Sequence, residues 1–194
     1  MKKTKLQSKD LIVAGAFAAM YLVLLMVGVS VLGVIPLLYL AAPFFISIIL
    51  GPVYMLYVAK IPKRGAILIL GILVGLLTSM GGVWQAAVWA IVLALIAEVI
   101  VAGGQYKSKR SYLISYIIFA CSNMGPFWML VFAKQSFLDS CAIYYGAEYA
   151  ASLDALTPIW IVFVLIGIAL IGGTIGGLFG RKLVNKHFKK AGVI

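Results

Sequence analysis

The chain is poor in nearly everything that enzymes use for acid–base or metal chemistry. Its 194 residues include one histidine, two cysteines and five acidic side chains. The cysteines, Cys121 and Cys141, give neither a disulfide framework nor a metal-ligand spacing. The histidine, His187, sits in a cationic tail with Lys186, Lys189 and Lys190, where it reads as a solvated residue. A Walker A sequence is missing. "GGQYKSKR" has a Lys-Ser pair, but Tyr106 stands where the motif needs glycine, so no P-loop forms and ATP hydrolysis is not expected of this chain. A membrane hydrolase needs a nucleophile with its base, or clustered carboxylates and histidines for a metal. Neither is visible, so the chain reads as a non-enzyme with no metal and no cofactor of its own.

Charge is scarce too. Charged residues make up 11% of the sequence and hydrophobic ones 64%, with a mean hydropathy of +1.14. A typical soluble domain carries about 25% charged residues, so this chain cannot cover its own surface in water. It reads as an all-α integral membrane protein with a single domain over residues 1–194. Lys2, Lys3 and Lys5 before an apolar run imitate a secretory signal. That run, from Leu11 to about Val34, exceeds the roughly 7–15 residues of a signal core, and is read as the first span.

A span needs about 20 mostly apolar residues. Six segments meet this description: 11–33, 37–59, 65–81, 83–103, 111–133 and 157–180. The third is short, and the "SMGG" stretch makes a tight turn into the fourth. Basic residues fall in alternate connections. Lys2, Lys3, Lys5 and Lys9 precede the first span; Lys60, Lys63 and Arg64 follow the second; Lys107, Lys109 and Arg110 follow the fourth; Arg181, Lys182, Lys186, Lys189 and Lys190 follow the sixth. Together they hold 15 of the 16 basic residues. Lys134, the other one, lies with Asp139, Glu148 and Asp154. The positive-inside rule then puts both termini in the cytoplasm of a multi-pass membrane chain. Topology and anionic lipid account for the net charge of +11, and nucleic acid is not implied. Cys141 is expected outside and accessible, Cys121 within the bundle.

One carboxylate, Glu98, lies well inside a span. It is about 8–9 Å from the cytoplasmic end of its helix at 1.5 Å per residue. Such a group is either a structural contact reaching the interface or part of a proton relay. The other polar residues within spans gather toward the outer ends. Gln85 and Trp89, four apart, share a helical face close to Trp84. The fifth span reaches "CSNMGPFWML" past its midpoint. Pro126 cannot donate to the carbonyl of Ser122 and clashes with it, leaving polar backbone beside Ser122 and Asn123 that only protein, water or a ligand can meet. A broken helix among polar and aromatic side chains points to a transport site. Gln85 and Asn123 would supply hydrogen bonds, with Trp84, Trp89, Phe127, Trp128 and Trp160 as flat walls. The alternatives are an interfacial aromatic belt for Trp84 and Trp160 and helix-to-helix bonding for the amides. The segment from Lys134 to Leu156 carries Phe137, Cys141, Tyr144 and Tyr145 on one helical face. It is read either as a lid across the mouth or as an interfacial helix.

Two small-residue patterns remain. "GGTIGGLFG" in the sixth span offers Gly172 with Gly176 and Gly173 with Gly177, a spacing for close helix packing. In the first span Ala14, Gly15, Ala18 and Ala19 form a narrow smooth stripe in its cytoplasmic half.

Six spans with both ends inside, this length, no ATP site, the stripe in the first span and the "SNMGPFW" stretch together resemble the substrate-binding S component of energy-coupling factor (ECF) transporters. Over the whole chain the texture is similar to the Trep_Strep, or MptD-type, S components. The resemblance implies capture of a vitamin-like or other micronutrient small molecule from outside. It also implies partnership with a transmembrane T component and two cytosolic ATPases, which use the ATP. Family ligands are held by the outer parts of the fourth to sixth helices and by two outer loops, here the Tyr39 region and the Gly81–Gln85 turn. The family's AxxxA motif falls on Ala14 and Ala18, with Gly15 and Ala19 an overlapping pair at the subunit interface. No signature of the riboflavin, thiamine, biotin, folate or cobalt types is found, and the substrate stays open. A self-sufficient channel or secondary carrier is the alternative, although the nearly aliphatic inner halves offer no polar path. A membrane enzyme comes third.

Overall fold

The computed structural model describes residues 6–80 and 84–188, with side chains to Lys186. Lys2, Lys3, Lys5, Gly81, Lys189, Lys190 and the His187 side chain lie outside the described residues. Every regular element among the described residues is helical. In chain order they are α1 (Ser8–Leu32), α2 (Pro36–Lys60), α3 (Ala66–Ser79), α4 (Trp84–Gly103), α5 (Lys109–Ala120), a 3-10 helix (Cys121–Trp128), α6 (Met129–Phe132), α7 (Lys134–Tyr145), α8 (Ala147–Leu156) and α9 (Ile161–Leu183). A π-helical turn, Val184–Phe188, follows α9.

Among the described residues, five stretches are long and apolar enough to cross a membrane: α1, α2, α4, the run from Lys109 to Phe132, and Ile161–Lys186. The expected third span, 65–81, is apolar but contracts to the 14 residues of α3. At 1.5 Å per residue that is about 21 Å, short of a hydrocarbon core about 30 Å thick. The expected fifth span is broken where its sequence requires. α5 ends at Ala120, and the chain tightens to 3-10 geometry through Pro126 before α6 resumes the α-helix. Gly125 in this segment lies against Thr78 of α3, where an added Cβ would meet the Thr78 Cβ at 2.6 Å.

The tightest helix pair is α2 with α9. An added Cβ on Gly176 would fall 2.3 Å from the Ser47 carbonyl oxygen, one on Gly172 2.4 Å from that of Phe44, and one on Gly180 2.7 Å from that of Gly51. Backbone therefore runs against backbone for two turns. Gly173 and Gly177 turn to the other side, against Ala120 and Leu113 of α5. Helices in lipid gain little from apolar burial alone, and this closeness supplies the van der Waals contact that replaces it.

Tyrosines fill the centre. Tyr21, Tyr54, Tyr57 and Tyr116 are fully buried, and each hydroxyl donates to a partner on another element. Tyr21 reaches Asn123 Oδ1 at 3.1 Å, Tyr54 reaches Ser115 Oγ at 3.1 Å, Tyr57 reaches the Ala66 carbonyl, and Tyr116 reaches the Ser47 carbonyl. A buried phenol without such a partner would be costly. Near α3, Glu98 accepts the Gly65 and Ile67 amides at 2.8 and 3.0 Å and the Tyr106 hydroxyl at 2.8 Å. The acid thus closes the open amides at the start of α3 from a neighbouring helix, the service usually given by a local cap. The structural alternative describes its geometry.

The segment after α6 forms a hairpin of two helices, α7 and α8, joined at Gly146 (φ +96°), a conformation that favours glycine. Tyr149 Oη donates to the Gly33 carbonyl at 2.6 Å, and Lys134 Nζ lies 2.7 Å from Asp154 Oδ1 and donates to the Thr157 carbonyl at 2.8 Å. The hairpin is pinned at both ends. Cys141 is buried beneath it, correcting the expected accessible thiol, and burial pushes the thiol pKa up. The shared face also divides: Tyr144 and Tyr145 are exposed, whereas Phe137 is half-buried.

Candidate functional site

The 3-10 helix in the middle of the fifth span organises the polar and aromatic residues around it. Its tightened geometry leaves the Cys121 carbonyl outside the α-helical ladder, and the Trp89 indole N–H donates to that oxygen at 2.9 Å. Trp89 meets Trp128 edge-on with ring centroids 5.1 Å apart, and Trp128 in turn lies 5.8 Å from Phe132. Together with Trp84, Gln85, Val88 and Val92 these rings line a surface groove of about 260 Å³. Four of the residues singled out in the sequence, Trp84, Gln85, Trp89 and Trp128, are thus brought together.

Asn123 and Ser122 are not among them. Asn123 is 1% exposed; its Oδ1 accepts the Tyr21 hydroxyl and its Nδ2 donates to Ser47 Oγ at 3.3 Å. That side chain ties α1, α2 and the 3-10 helix together in the interior. The shared pocket expected for Gln85 and Asn123 gives way to helix-to-helix bonding, because the two amides lie on different sides of the broken helix. Phe127 is buried and stacks on Tyr39 at 4.6 Å, with Phe137 of α7 6.0 Å from the same tyrosine. Tyr39 and Phe127 therefore form an aromatic layer beneath the hairpin. Trp160 stands at the start of α9, 58% exposed, and lines neither groove described here.

Sequence reasoning missed a second cleft on the other side of the break. Leu25, Met26, Val29 and Ser30 of α1, Leu77, Thr78 and Met80 at the end of α3, and Pro126 with Met129 enclose about 350 Å³. Three methionines give it a soft, adaptable wall. In the sequence they look like ordinary lipid-facing residues. The available signal was Pro126, whose break must open beside something.

The break also holds two buried polar atoms that make no hydrogen bond of normal geometry, Trp128 Nε1 and Ser122 Oγ, the latter close to the Tyr21 hydroxyl. Each such atom costs about 1–3 kcal/mol if nothing meets it, and native proteins retain few of them. Both belong to the segment whose Pro126 and Trp128 line the two clefts. No group of three or more histidine, cysteine or acidic side chains suited to a metal occurs among the described residues.

The stripe on α1 divides. Ala14 and Ala18 are each 1% exposed, packed inside the chain's own bundle, whereas Gly15 and Ala19 are exposed. An added Cβ on Gly15 would meet nothing within 4 Å. Of the stripe expected at a subunit interface, the alanine pair Ala14 and Ala18 is used inside the chain, and only Gly15 and Ala19 face outward.

The profile of a family described as hypothetical bacterial integral membrane protein (Trep_Strep) matches residues 8–190. No curated protein and no solved structure matches the chain.

Proposed function

The chain belongs to the Trep_Strep family of hypothetical bacterial integral membrane proteins, and from that premise we propose that it is the substrate-binding S component of an ECF-type importer. In this reading it crosses the cytoplasmic membrane six times, α3 being the short span, with both termini inside. It captures a micronutrient-sized molecule from outside and hands it on through a T component driven by two cytosolic ATPases.

The observation that carries the reading is the broken helix between two clefts. A discontinuous helix with unmet polar atoms is how transporters of several folds present polar groups at membrane depth without exposing them to lipid. Here Trp128 Nε1 and Ser122 Oγ are the atoms lacking a hydrogen bond of normal geometry, and the clefts beside Pro126 and Trp128 offer apolar walls on either side. The aromatic layer under the α7–α8 hairpin supports a covered outer face. On the other side of the argument, the glycine seam between α2 and α9 packs backbone to backbone, which suits a rigid binding unit better than a hydrated pore.

The test is native mass spectrometry of the chain purified gently from its own membranes, followed by uptake in liposomes. A stoichiometric small molecule, co-purifying T and ATPase subunits, and uptake that requires ATP are the expected results. Uptake by the chain alone, with no ATPase present, would overturn the reading in favour of a secondary carrier.

A further inference from the structure

A cavity of about 540 Å³ lies away from the broken helix, among the basic ends of the spans. It is walled by Met55 and Ala59 in the last turns of α2, by the connection between α4 and α5, and by the end of α9. Three cationic side chains line it: Lys107, Lys109 and Arg181. No carboxylate does, among the described residues.

Like charges gathered around a cavity repel unless something neutralises them. The described ion pairs, Lys63 with Asp10 and Lys134 with Asp154, are elsewhere. Lys109 Nζ donates to Asn185 Oδ1 at 2.8 Å, a neutral partner that positions the ammonium without cancelling its charge. The side chains of Lys107 and Arg181 make no hydrogen bond or ion pair among the described residues. No described carboxylate neutralises these three charges at the cavity wall, which leaves the cavity suited to an anion.

The backbone beside this cavity is held in an unusual form. Gln105 and Tyr106 are consecutive non-glycine residues at φ +52° and +54°, a left-handed conformation uncommon for such side chains. It is fixed by three contacts: the Tyr106 amide to the Val101 carbonyl at 3.1 Å, the Tyr106 hydroxyl to Glu98, and the Tyr112 hydroxyl to the Tyr106 carbonyl. Strained backbone that the surroundings hold so firmly marks positions where placement is needed. Here the residue placed is Lys107, brought to the rim of a cavity shared with Arg181.

We propose that this cavity is a binding site for the phosphate of an anionic phospholipid headgroup. Arginine and lysine are the residues that recognise phosphate, through a guanidinium fork and a point charge respectively. Basic pockets between helix ends at the membrane surface suit anionic headgroups. The apolar wall from Met55, Ala59 and Val184 adds what a soluble phosphate compound has no use for, a surface on which the upper acyl chains rest. The proposal is independent of what the chain transports.

The experiment uses the full chain, delipidated in detergent and titrated with phosphatidylglycerol or phosphatidylcholine under native mass spectrometry. Phosphatidylglycerol should be retained and phosphatidylcholine not. Arg181→Gln should weaken retention about fivefold, and Lys107→Gln/Lys109→Gln/Arg181→Gln roughly a hundredfold. A control triple of exposed cations, Lys9→Gln/Lys182→Gln/Lys186→Gln, removes the same charge and should keep the lipid. Melting curves of all variants separate loss of lipid from loss of fold, and the Arg181→Gln single carries the test if the triple is unstable. Equal loss in the control triple, or equal retention of phosphatidylcholine, overturns the site. Displacement of the lipid by glycerol 3-phosphate at matched concentration overturns the lipid assignment in favour of a soluble phosphate ligand.

Discussion

α9 and α1 both carry small residues at the spacing that lets helices approach closely, and they use them in opposite ways. On α9 the glycines are met from two sides. Gly172, Gly176 and Gly180 face α2 backbone, while Gly173 and Gly177 face α5, and every one would collide if a Cβ were added. On α1 only half of the pattern is used internally: Ala14 and Ala18 are buried, but Gly15 and Ala19 are exposed. The remainder of α1 is also sparsely covered, with Ile12, Val23, Met26 and Val27 all more than half exposed. Small residues in a membrane helix therefore announce a close approach without saying whose. A full set matched by two neighbours describes a core. A half-used set on a peripheral helix leaves a face for lipid or another chain.

The comparison breaks first at the seam. Gly176→Leu places a branched side chain where even a Cβ lies 2.3 Å from the Ser47 carbonyl oxygen and 2.8 Å from the Ile48 Cα. Backbone cannot yield as a flexible side chain does, so α2 and α9 must part. Loss of folded protein is expected, and Gly176→Ala should cost about 1–3 kcal/mol from overpacking. Both cysteines are buried, so the reaction of a thiol-sensitive dye during heating reports unfolding directly. A Gly176→Leu variant that melts like the parent would show that the seam is not a closed contact.

An intermediate effect is expected at Glu98, which belongs to the seam side of the comparison, being fully committed within the chain. Glu98→Ala strands the Gly65 and Ile67 amides at the start of α3 and the Tyr106 hydroxyl. Each buried donor left unmet costs about 1–3 kcal/mol, less where water enters. The same thiol-dye melt should fall by several degrees, and Glu98→Gln, which keeps an acceptor, should recover part of it. An unchanged melt in the alanine variant would remove the capping role and return the residue to proton transfer.

What the sequence made legible follows the range of each signal. Apolar runs of twenty residues and alternating basic connections are local, and they located the long helices to within a few residues. Pro126 acts on its own helix, so the break in the fifth span was readable from "SNMGPFW". The four-residue spacing of Gln85 and Trp89 likewise put both on one groove. The failures were all tertiary. Spacing tells which face of a helix Asn123 occupies, but not that Tyr21 and Ser47 wait there from 102 and 76 residues away. Glu98 meets amides 31 and 33 residues upstream, and nothing local announces it. Cys141 was expected to be accessible because the alternating basic connections put its segment outside the membrane. Gly146 lets the chain fold back there, and the resulting hairpin covers the thiol. The methionine-lined cleft escaped for a related reason, since Met26, Met80 and Met129 come from three separate helices.

The smallest effect on stability, and the sharpest form of the comparison, comes from two adjacent alanines. Ala18 is 1% exposed within the bundle and Ala19 is exposed beside it. Ala18→Trp must displace its neighbours in a packed interior, an overpacking of about 1–3 kcal/mol or more. Ala19→Trp adds its ring to the outside of α1, where neither lipid nor detergent resists it, and the melt should stay within about 0.5 kcal/mol of the parent. If the exposed half of the stripe is the face that the proposed T component grips, close approach of two helices there is blocked by any large side chain. Ala19→Trp should then purify and bind its small molecule normally while failing to co-purify with the coupling and ATPase subunits. The neighbouring Gly15→Ala, which adds one methyl group to open space, should weaken that assembly less. Normal assembly in Ala19→Trp would leave the exposed face to lipid, and the division of the α1 stripe would then reflect packing alone. Disrupted folding in Ala19→Trp would instead place the whole stripe in the core, as on α9.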